Sequence, residues 1–533
     1  MIERKTLFYC LGLTAILLSV FILFDRPINM PKKTYRVTET SYGAFLAGQH
    51  AIYTNDFDSA AKFAEKISDK DYGTISKTKK LAEFLGGKLP TNTACFNNAK
   101  DTAGRMIYDA SLAKNQKWDE LYNRHKTNKS AVYAPFRIWS AIAKNRKTET
   151  LKYIDSAESN PSWKAFVRGQ IYAHYGEDTR AAEEFANVKT DFMNIGDYVY
   201  IMSFYIGHDM QPKADKLRQE FSSAPGGMFM ADFDNIPNWD NFKGPQKSLA
   251  FNLLQNVSHT QIMLYSDLSI LMLRFAQIIG PDAQFFQDAV HYYIGQFLVN
   301  TRGNFSVYFD KIDKASPFYL FAKMKSANSV KEIQNVLKHQ PLFIPALNKL
   351  VAYYTGQGSK HLALDAINQA LKNKRLSDAG RAYLIKRRAL VHLLFGDLKA
   401  AQKDIHTASK TLDKDGEILA LQARIWAAQN REIENAYTYA MSLVKRDPTD
   451  VLAWDTVAVV VSVREGNDAA LEILEKIGAS AKNCSALFEH LGDAYVNNGQ
   501  SDKAIEAYRR AINLADDGFS VIPKIKKKLR KIQ

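Results

Sequence analysis

Apolar and small side chains recur along the C-terminal part of the chain with a period of 34 residues. The stretch that begins at Val451 aligns without a gap with the stretch that begins at Ser485. Apolar residues three and four positions apart predict an amphipathic helix in each half of a copy, and Gly499 between the halves predicts a turn. Each copy is therefore predicted to form two antiparallel helices. The last copy carries its apolar and small residues at Phe488, Leu491, Gly492, Tyr495, Ala504, Tyr508 and Ala511.

Related copies extend towards the N-terminus with looser spacing. Residues 344–518 are predicted to hold five copies, and fainter copies begin at Ser41 and Ser162. We therefore expect degenerate repeats over 31–221 and helical linker repeats over 247–343. A chain of stacked repeats adds core copy by copy, so its length is not limited as that of a single globular core is.

The spacing resembles the tetratricopeptide repeat (TPR), which has large residues at relative positions 4, 7, 11 and 24 and small ones at 8 and 20. This resemblance implies an all-α fold, a TPR-type helix-turn-helix solenoid wound as a right-handed superhelix. It also implies that other proteins or peptides bind in the concave groove. The run from Ser41 and the stretch 244–279 further resemble exported TPR proteins of alphaproteobacterial type. That group contributes no catalytic or ligand residues.

The N-terminal region contains nineteen uncharged residues, Thr6–Phe24. That length is sufficient for one transmembrane helix, so residues 1–30 are predicted to be a membrane anchor or a signal segment. An uncleaved anchor is favoured because no small-residue cleavage site follows. The flanking charges slightly favour a cytoplasmic body, whereas the resemblance favours a periplasmic one. We expect a membrane-anchored protein with a periplasmic body, the alternative being the cytoplasmic face of the inner membrane.

Residues 222–246 interrupt the helical pattern with three Pro and three Gly. They are predicted to form a loop junction between two superhelical halves. The loop is rich in aromatic residues and methionine, which either tuck back into the solenoid or form an exposed patch for a partner. Tucking back is favoured, because exposure of so many apolar side chains promotes aggregation.

The net charge of +15 raises the question of an anionic partner. Much of the excess lies in residues 519–533, which are predicted to form a basic C-terminal capping helix. Contact of this helix with an anionic membrane or polymer remains an alternative. Nucleic acid is not favoured, because no aromatic residues for base stacking alternate with the lysines.

A search for catalytic motifs finds no HExxH, no paired CxxC, no GxSxG and no phosphate loop. The eleven His are scattered over the predicted repeats. We therefore expect no enzyme, no cofactor and no metal site.

In a TPR solenoid the groove is formed mainly by relative positions 2, 5, 9 and 12 of each first helix. Here these positions are largely apolar with few charges, which favours a hydrophobic peptide or helix as ligand. The predicted function is a non-catalytic scaffold at the cell envelope. The alternative is an accessory subunit of an envelope biogenesis enzyme, for lipopolysaccharide or peptidoglycan, that is encoded on another chain. The predicted groove residues are Tyr383, Lys386, Leu390, Leu421, Ile425, Leu452, Asp455, Val459, Glu489 and Asp493.

Overall fold

The computed structural model describes most of the chain from residue 40 onwards. Within the described ranges every regular element is a helix and no strand occurs. The predicted transmembrane segment Thr6–Phe24 lies outside these ranges. None of the helices that are described is long and apolar enough to cross a membrane. The described residues are 40–70, 73–128, 130–157, 159–224, 227–233, 235–259, 266–301, 303–327, 329–374, 376–413, 415–478, 484–514 and 520–533.

The N-terminal part consists mainly of helix pairs, as the faint repeats predict. Each pair buries small and apolar residues between its two helices, for example Ala165 and Ala181. The helix Thr74–Leu85 follows the first pair and is not itself paired. Only the short 3-10 helix Thr93–Phe96 separates it from the next pair. The pairs are Ser41–Tyr53 with Phe57–Ala64, Thr102–Lys114 with Trp118–His125, Ala134–Ala143 with Lys147–Ser156, Pro161–His174 with Asp178–Ala186, and Ile195–Gly207 with Gln211–Ser223.

The helices Pro245–His259 and Asp267–Ile279 fill the groove of this N-terminal part. Phe251 packs against Phe166 and Tyr200, and Phe275 packs edge-on against Phe136. These partners lie on the first helices of successive pairs, which line the inner side of a helical-repeat solenoid. The two inserted helices therefore occupy the place where a solenoid of this kind would otherwise bind a ligand.

Buried hydrogen bonds fix this insertion. Nε1 of Trp139 donates to Oδ1 of Asn252 at 2.9 Å, and Nδ2 of Asn252 donates to Oε1 of Gln170 at 2.8 Å. All three side chains are buried. At the other inserted helix, Nζ of Lys114 donates to the carbonyl oxygen of Ile278 at 2.9 Å. Polar groups in such positions are costly without partners, so these pairings favour one arrangement of the inserted helices.

The segment 222–246 is predicted to join two halves, but it connects the last N-terminal pair to the inserted helix Pro245–His259, and it contains the short 3-10 helices Met228–Asp232 and Trp239–Asn241. Trp239 is buried and lies 5.2 Å, centroid to centroid, from Phe204 in the N-terminal part. Phe229 stacks edge-on against Phe343 at 5.1 Å, next to the C-terminal array. The prediction that these apolar side chains tuck back is confirmed, and they form the contact between the halves.

The remaining helices lead into a regular array. Its turns use glycine where the backbone requires a positive φ, for example Gly466 at 107° and Gly499 at 71°. Four helices precede the array: Gln284–Asn300, Ser306–Phe309, Pro317–Ser326 and Val330–His339. Repeats 1 to 5 are the pairs Ile344–Gly356 and Lys360–Leu371, Asp378–Leu394 and Leu398–Ser409, Gly416–Ala428 and Ile433–Arg446, Val451–Arg464 and Asn467–Gly478, and Ser485–Asn497 and Ser501–Asn513, followed by the terminal helix Ile522–Ile532.

Candidate functional site

The groove of the C-terminal array contains a cavity of about 460 Å³. This volume lies within the range of about 300–1,000 Å³ that is common for ligand sites. The cavity spans repeats 2, 3 and 4, and it is lined by Leu390, Leu421 and Leu452 from their three first helices. Ala420 and Leu443 add further apolar surface. We call this space the array cavity.

Three of the predicted groove residues thus come together in one cavity. Leu390 and Leu421 are buried at its base, and Leu452 is half-buried at its wall. Leu390, Leu421 and Leu452 stand at relative positions 9, 5 and 2 of successive first helices, so each lies about one helical turn nearer the start of its helix than the one before. All three are predicted groove positions, but the repeat period does not predict that these three meet in one cavity.

Six charged side chains surround the apolar floor, and three of them, Arg387, Glu417 and Arg424, form ion pairs. Nη1 of Arg387 donates to Oε1 of Glu417 at 2.9 Å. Arg424 forms an ion pair with Asp455 of the next repeat. Asp450 accepts from the backbone N–H of Leu452 and caps the first helix of repeat 4. The lining holds three basic and three acidic side chains, so the apolar floor has no net charge around it.

The other predicted polar groove residues form contacts between repeats. Nζ of Lys386 in repeat 2 lies 2.8 Å from Oε2 of Glu417 in repeat 3. Asp455 in repeat 4 accepts from Arg424 in repeat 3, and its Oδ1 lies 2.8 Å from Nδ1 of His490 in repeat 5. We call this series of ion pairs, together with those of Lys528 below, the inter-repeat ladder.

The ladder continues into the terminal helix. Nζ of Lys528 lies 2.7 Å from Oε1 of Glu489 and 2.6 Å from Oδ2 of Asp493, both on the first helix of repeat 5. Between repeats 1 and 2 the corresponding contact is neutral, since Nδ2 of Asn348 donates to the hydroxyl oxygen of Tyr383 at 2.9 Å. The same face therefore carries a polar contact at each junction from repeat 1 to the terminal helix.

Burial and neighbouring charges shift the pKa values of Asp455 and Lys386 in opposite directions. Burial raises the pKa of Asp455, but His490 and Arg424 outweigh it and hold this pKa below its usual value. Burial lowers the pKa of Lys386, but Glu417 and Asp415 outweigh it and raise this pKa overall. Both groups are therefore charged at neutral pH. Such pairs fix the relative position of successive repeats rather than provide a reactive group.

The predicted row at relative position 9 divides between core and surface. Leu390 lines the array cavity, Ile425 is fully buried in the core of repeats 2 and 3, and Val459 is half-buried outside the cavity. Ile425 is drawn inwards because it packs against the second helix of repeat 2. Partner binding at these positions stays a prediction.

Sequence reasoning did not identify the arginines of the rim. Arg387 and Arg424 lie one and three positions after predicted groove residues, and their role depends on acids about 30 residues away. The 31-residue spacing between Arg424 and Asp455 was the available signal. Among the described residues, no group of three or more His, Cys, Asp or Glu is arranged to hold a metal ion.

The sequence model of the tetratricopeptide repeat matches residues 486–517. This match covers most of repeat 5, the copy in which the spacing is most regular. The geometry of that helix pair and the sequence match agree, so the chain carries a tetratricopeptide repeat at its C-terminal end. A comparison with curated proteins gave no match.

Among solved structures, the chain is similar to a tetratricopeptide repeat protein from Parabacteroides merdae, with 13% identity and a TM-score of 0.31 over 53% of this chain and 98% of that one. It is similar to yeast Tom70, with 11% identity and a TM-score of 0.31 over 83% and 95%. It is also similar to the Cut9–Hcn1 hetero-tetramer of APC/C, with 14% identity and a TM-score of 0.30 over 94% and 97%. These values are too low to transfer a function.

Proposed function

We propose that the protein is a non-catalytic scaffold whose C-terminal array binds a partner protein or peptide in its concave groove. One observation supports this more than any other: the N-terminal groove is filled by the helices Pro245–His259 and Asp267–Ile279, whereas the C-terminal groove keeps a cavity of about 460 Å³. A larger cavity of about 680 Å³ lies between the N-terminal part and the helices that precede the array, but only the array cavity brings predicted groove residues together, so we take it as the binding site.

The lining of the array cavity defines the ligand. Leu390, Leu421 and Leu452 provide an apolar floor, and the three basic and three acidic side chains of the lining leave no net charge around it. A peptide or helix that inserts one or two large apolar side chains would bury surface there without leaving an unpaired charge. The half-buried Leu452 forms the accessible wall against which such side chains pack.

We further propose that the scaffold acts at the cell envelope, attached to the membrane through Thr6–Phe24 and with a periplasmic body. The uncharged length of this segment supports attachment. The cytoplasmic face of the inner membrane is the alternative placement. An accessory subunit of an envelope biogenesis enzyme would use the same groove, and the activity of the captured partner separates that alternative from a simple scaffold.

The substitution Ala420→Phe tests this proposal, because Ala420 lines the array cavity and is half-buried. A benzyl group at this position occupies the space that a partner side chain would fill. Partners captured by the tagged full-length chain from detergent extract should fall by at least about tenfold, which corresponds to ~1.4 kcal/mol.

Ala469→Phe is the matched control. Ala469 is also half-buried, but it lies on the second helix of repeat 4 and does not line the cavity. Circular dichroism should show equal helical content for both variants. Equal partner recovery from both variants and the unmodified chain would contradict binding in the array cavity.

A further inference from the structure

The terminal helix Ile522–Ile532 has two different faces. Its apolar face packs on repeat 5, where Ile525 is fully buried. Lys528 is directed inwards and pairs with Glu489 and Asp493. This helix lies against the last repeat, where a capping helix is predicted. Capping accounts for the inner face and for Lys528.

The outer face consists of cations without partners. In the part of the chain that the structure describes, five exposed cations of this helix form no ion pair, and residues 520–533 contain no Asp or Glu. At 100° per residue these cations cover the side of the helix opposite Ile525. They are Lys524, Lys526, Lys527, Arg530 and Lys531.

A cap does not require a face of one sign. A solenoid end needs a polar surface, and mixed charges provide it with favourable pairs four residues apart. Here Lys526 and Arg530, and Lys527 and Lys531, are like-charged pairs at that spacing, which destabilise a helix. Lys524 in the first turn also opposes the helix dipole. The face therefore carries an electrostatic cost that capping does not explain.

The terminal helix contacts the array at two places. Besides its contact with repeat 5, the helix begins at the turn of repeat 1, where a Cβ on Gly358 would lie 3.0 Å from Cγ of Pro523. The five cations are thus presented on a preformed helix that contacts repeats 1 and 5. A preformed face loses little conformational entropy when it meets a second surface.

We propose that this face binds the anionic headgroups of a phospholipid bilayer. Four or more Lys and Arg on an amphipathic helix are typical of contact with anionic lipid. Nucleic acid fits less well, because the exposed residues of the helix include no aromatic side chain for stacking on bases. The choice of a bilayer also rests on the proposed membrane attachment, since a tether at Thr6–Phe24 would hold the array close to a membrane surface.

The test uses the full-length chain in two kinds of vesicle, phosphatidylcholine alone and phosphatidylcholine with phosphatidylglycerol. A dye attached after Gln533 transfers energy to an acceptor on the headgroups. We expect the equilibrium constant for docking of the terminal helix on the bilayer to be at least about tenfold larger in vesicles with phosphatidylglycerol than in phosphatidylcholine alone. High salt should abolish the difference, because it screens exposed charges.

The quadruple variant Lys524→Gln, Lys526→Gln, Lys527→Gln and Lys531→Gln should lose the difference. The matched control replaces four exposed lysines of the array, Lys399, Lys403, Lys410 and Lys476, by Gln and should keep the difference between the two kinds of vesicle.

Equal energy transfer in both kinds of vesicle would overturn the proposal, as would an RNA oligonucleotide that binds the face while phosphatidylglycerol does not. Ala420→Phe should leave the energy transfer unchanged, so a failure of partner binding in the array cavity can be distinguished from a failure of lipid binding. Flotation with phosphatidylcholine alone reports separately on attachment through the N-terminal segment.

Discussion

Gly492 lies so close to the ring of Tyr508 that a Cβ at this glycine would come within 2.5 Å of Cδ1 of the tyrosine. The same relationship occurs in the N-terminal part, where a Cβ on Gly169 would lie 2.5 Å from Cε1 of Phe185. In both pairs the aromatic residue follows the glycine by 16 positions. An aromatic ring of the second helix thus packs directly on the backbone of the first.

We therefore predict that Gly492→Ala destabilises repeat 5 by about 1–3 kcal/mol, because the added methyl group overlaps the ring. Thermal unfolding of the full-length chain, followed by circular dichroism, measures the loss. Combining Gly492→Ala with Tyr508→Leu should restore part of it, since the smaller side chain leaves room. Strictly additive effects of the two substitutions would show that the residues do not interact.

The inter-repeat ladder makes a second prediction. Asp455 is fully buried between Arg424 and His490, so Asp455→Asn leaves Arg424 without its charged partner and weakens the contact with His490. We expect a loss of about 3–5 kcal/mol, which is typical when one partner of a buried ion pair is removed. Asp365→Asn is the control, because Asp365 is exposed and should change stability by less than about 0.5 kcal/mol. Similar urea midpoints for both variants would refute the structural role of the ladder.

A third prediction concerns the stability of the folded chain at acidic pH. Burial, together with Lys311 and Arg274, lowers the pKa of His291 to about 4. The unfolded chain binds this proton near pH 6.5, whereas the folded chain binds it only near 4, so stability should fall as the pH drops from about 6.5 to about 4. His291→Gln should flatten this part of the profile of unfolding midpoint against pH. A variant whose profile has the same slope would show that His291 does not titrate in this way.

The C-terminal array follows from the sequence because its packing is local. Large and small residues such as Tyr508 and Gly492 meet within one helix pair, so the repeat period records their contact directly. The burial of the junction segment also follows, since Trp239 and Phe242 are too apolar to remain exposed.

The filled N-terminal groove does not follow from the sequence. Asn252 and Trp139 are 113 residues apart, and a periodic pattern within a helix does not identify a partner at that distance. The inter-repeat ladder could not be predicted from the sequence for a related reason. In the sequence, Asp455 is a single charged residue at a predicted groove position. Its burial becomes evident only when Arg424 and His490 from the two neighbouring repeats are placed beside it.

Site-specific photo-crosslinking shows whether a partner binds in the array cavity. A photoreactive amino acid in place of Leu452 would stand at the half-buried wall of the cavity, and one in place of the exposed Lys403 serves as the control. We expect partners to crosslink in cells from position 452 but not from 403, and we expect Ala420→Phe to abolish these crosslinks. Partner crosslinks that persist at position 452 in the Ala420→Phe chain, or that arise equally from position 403, would refute binding in the array cavity.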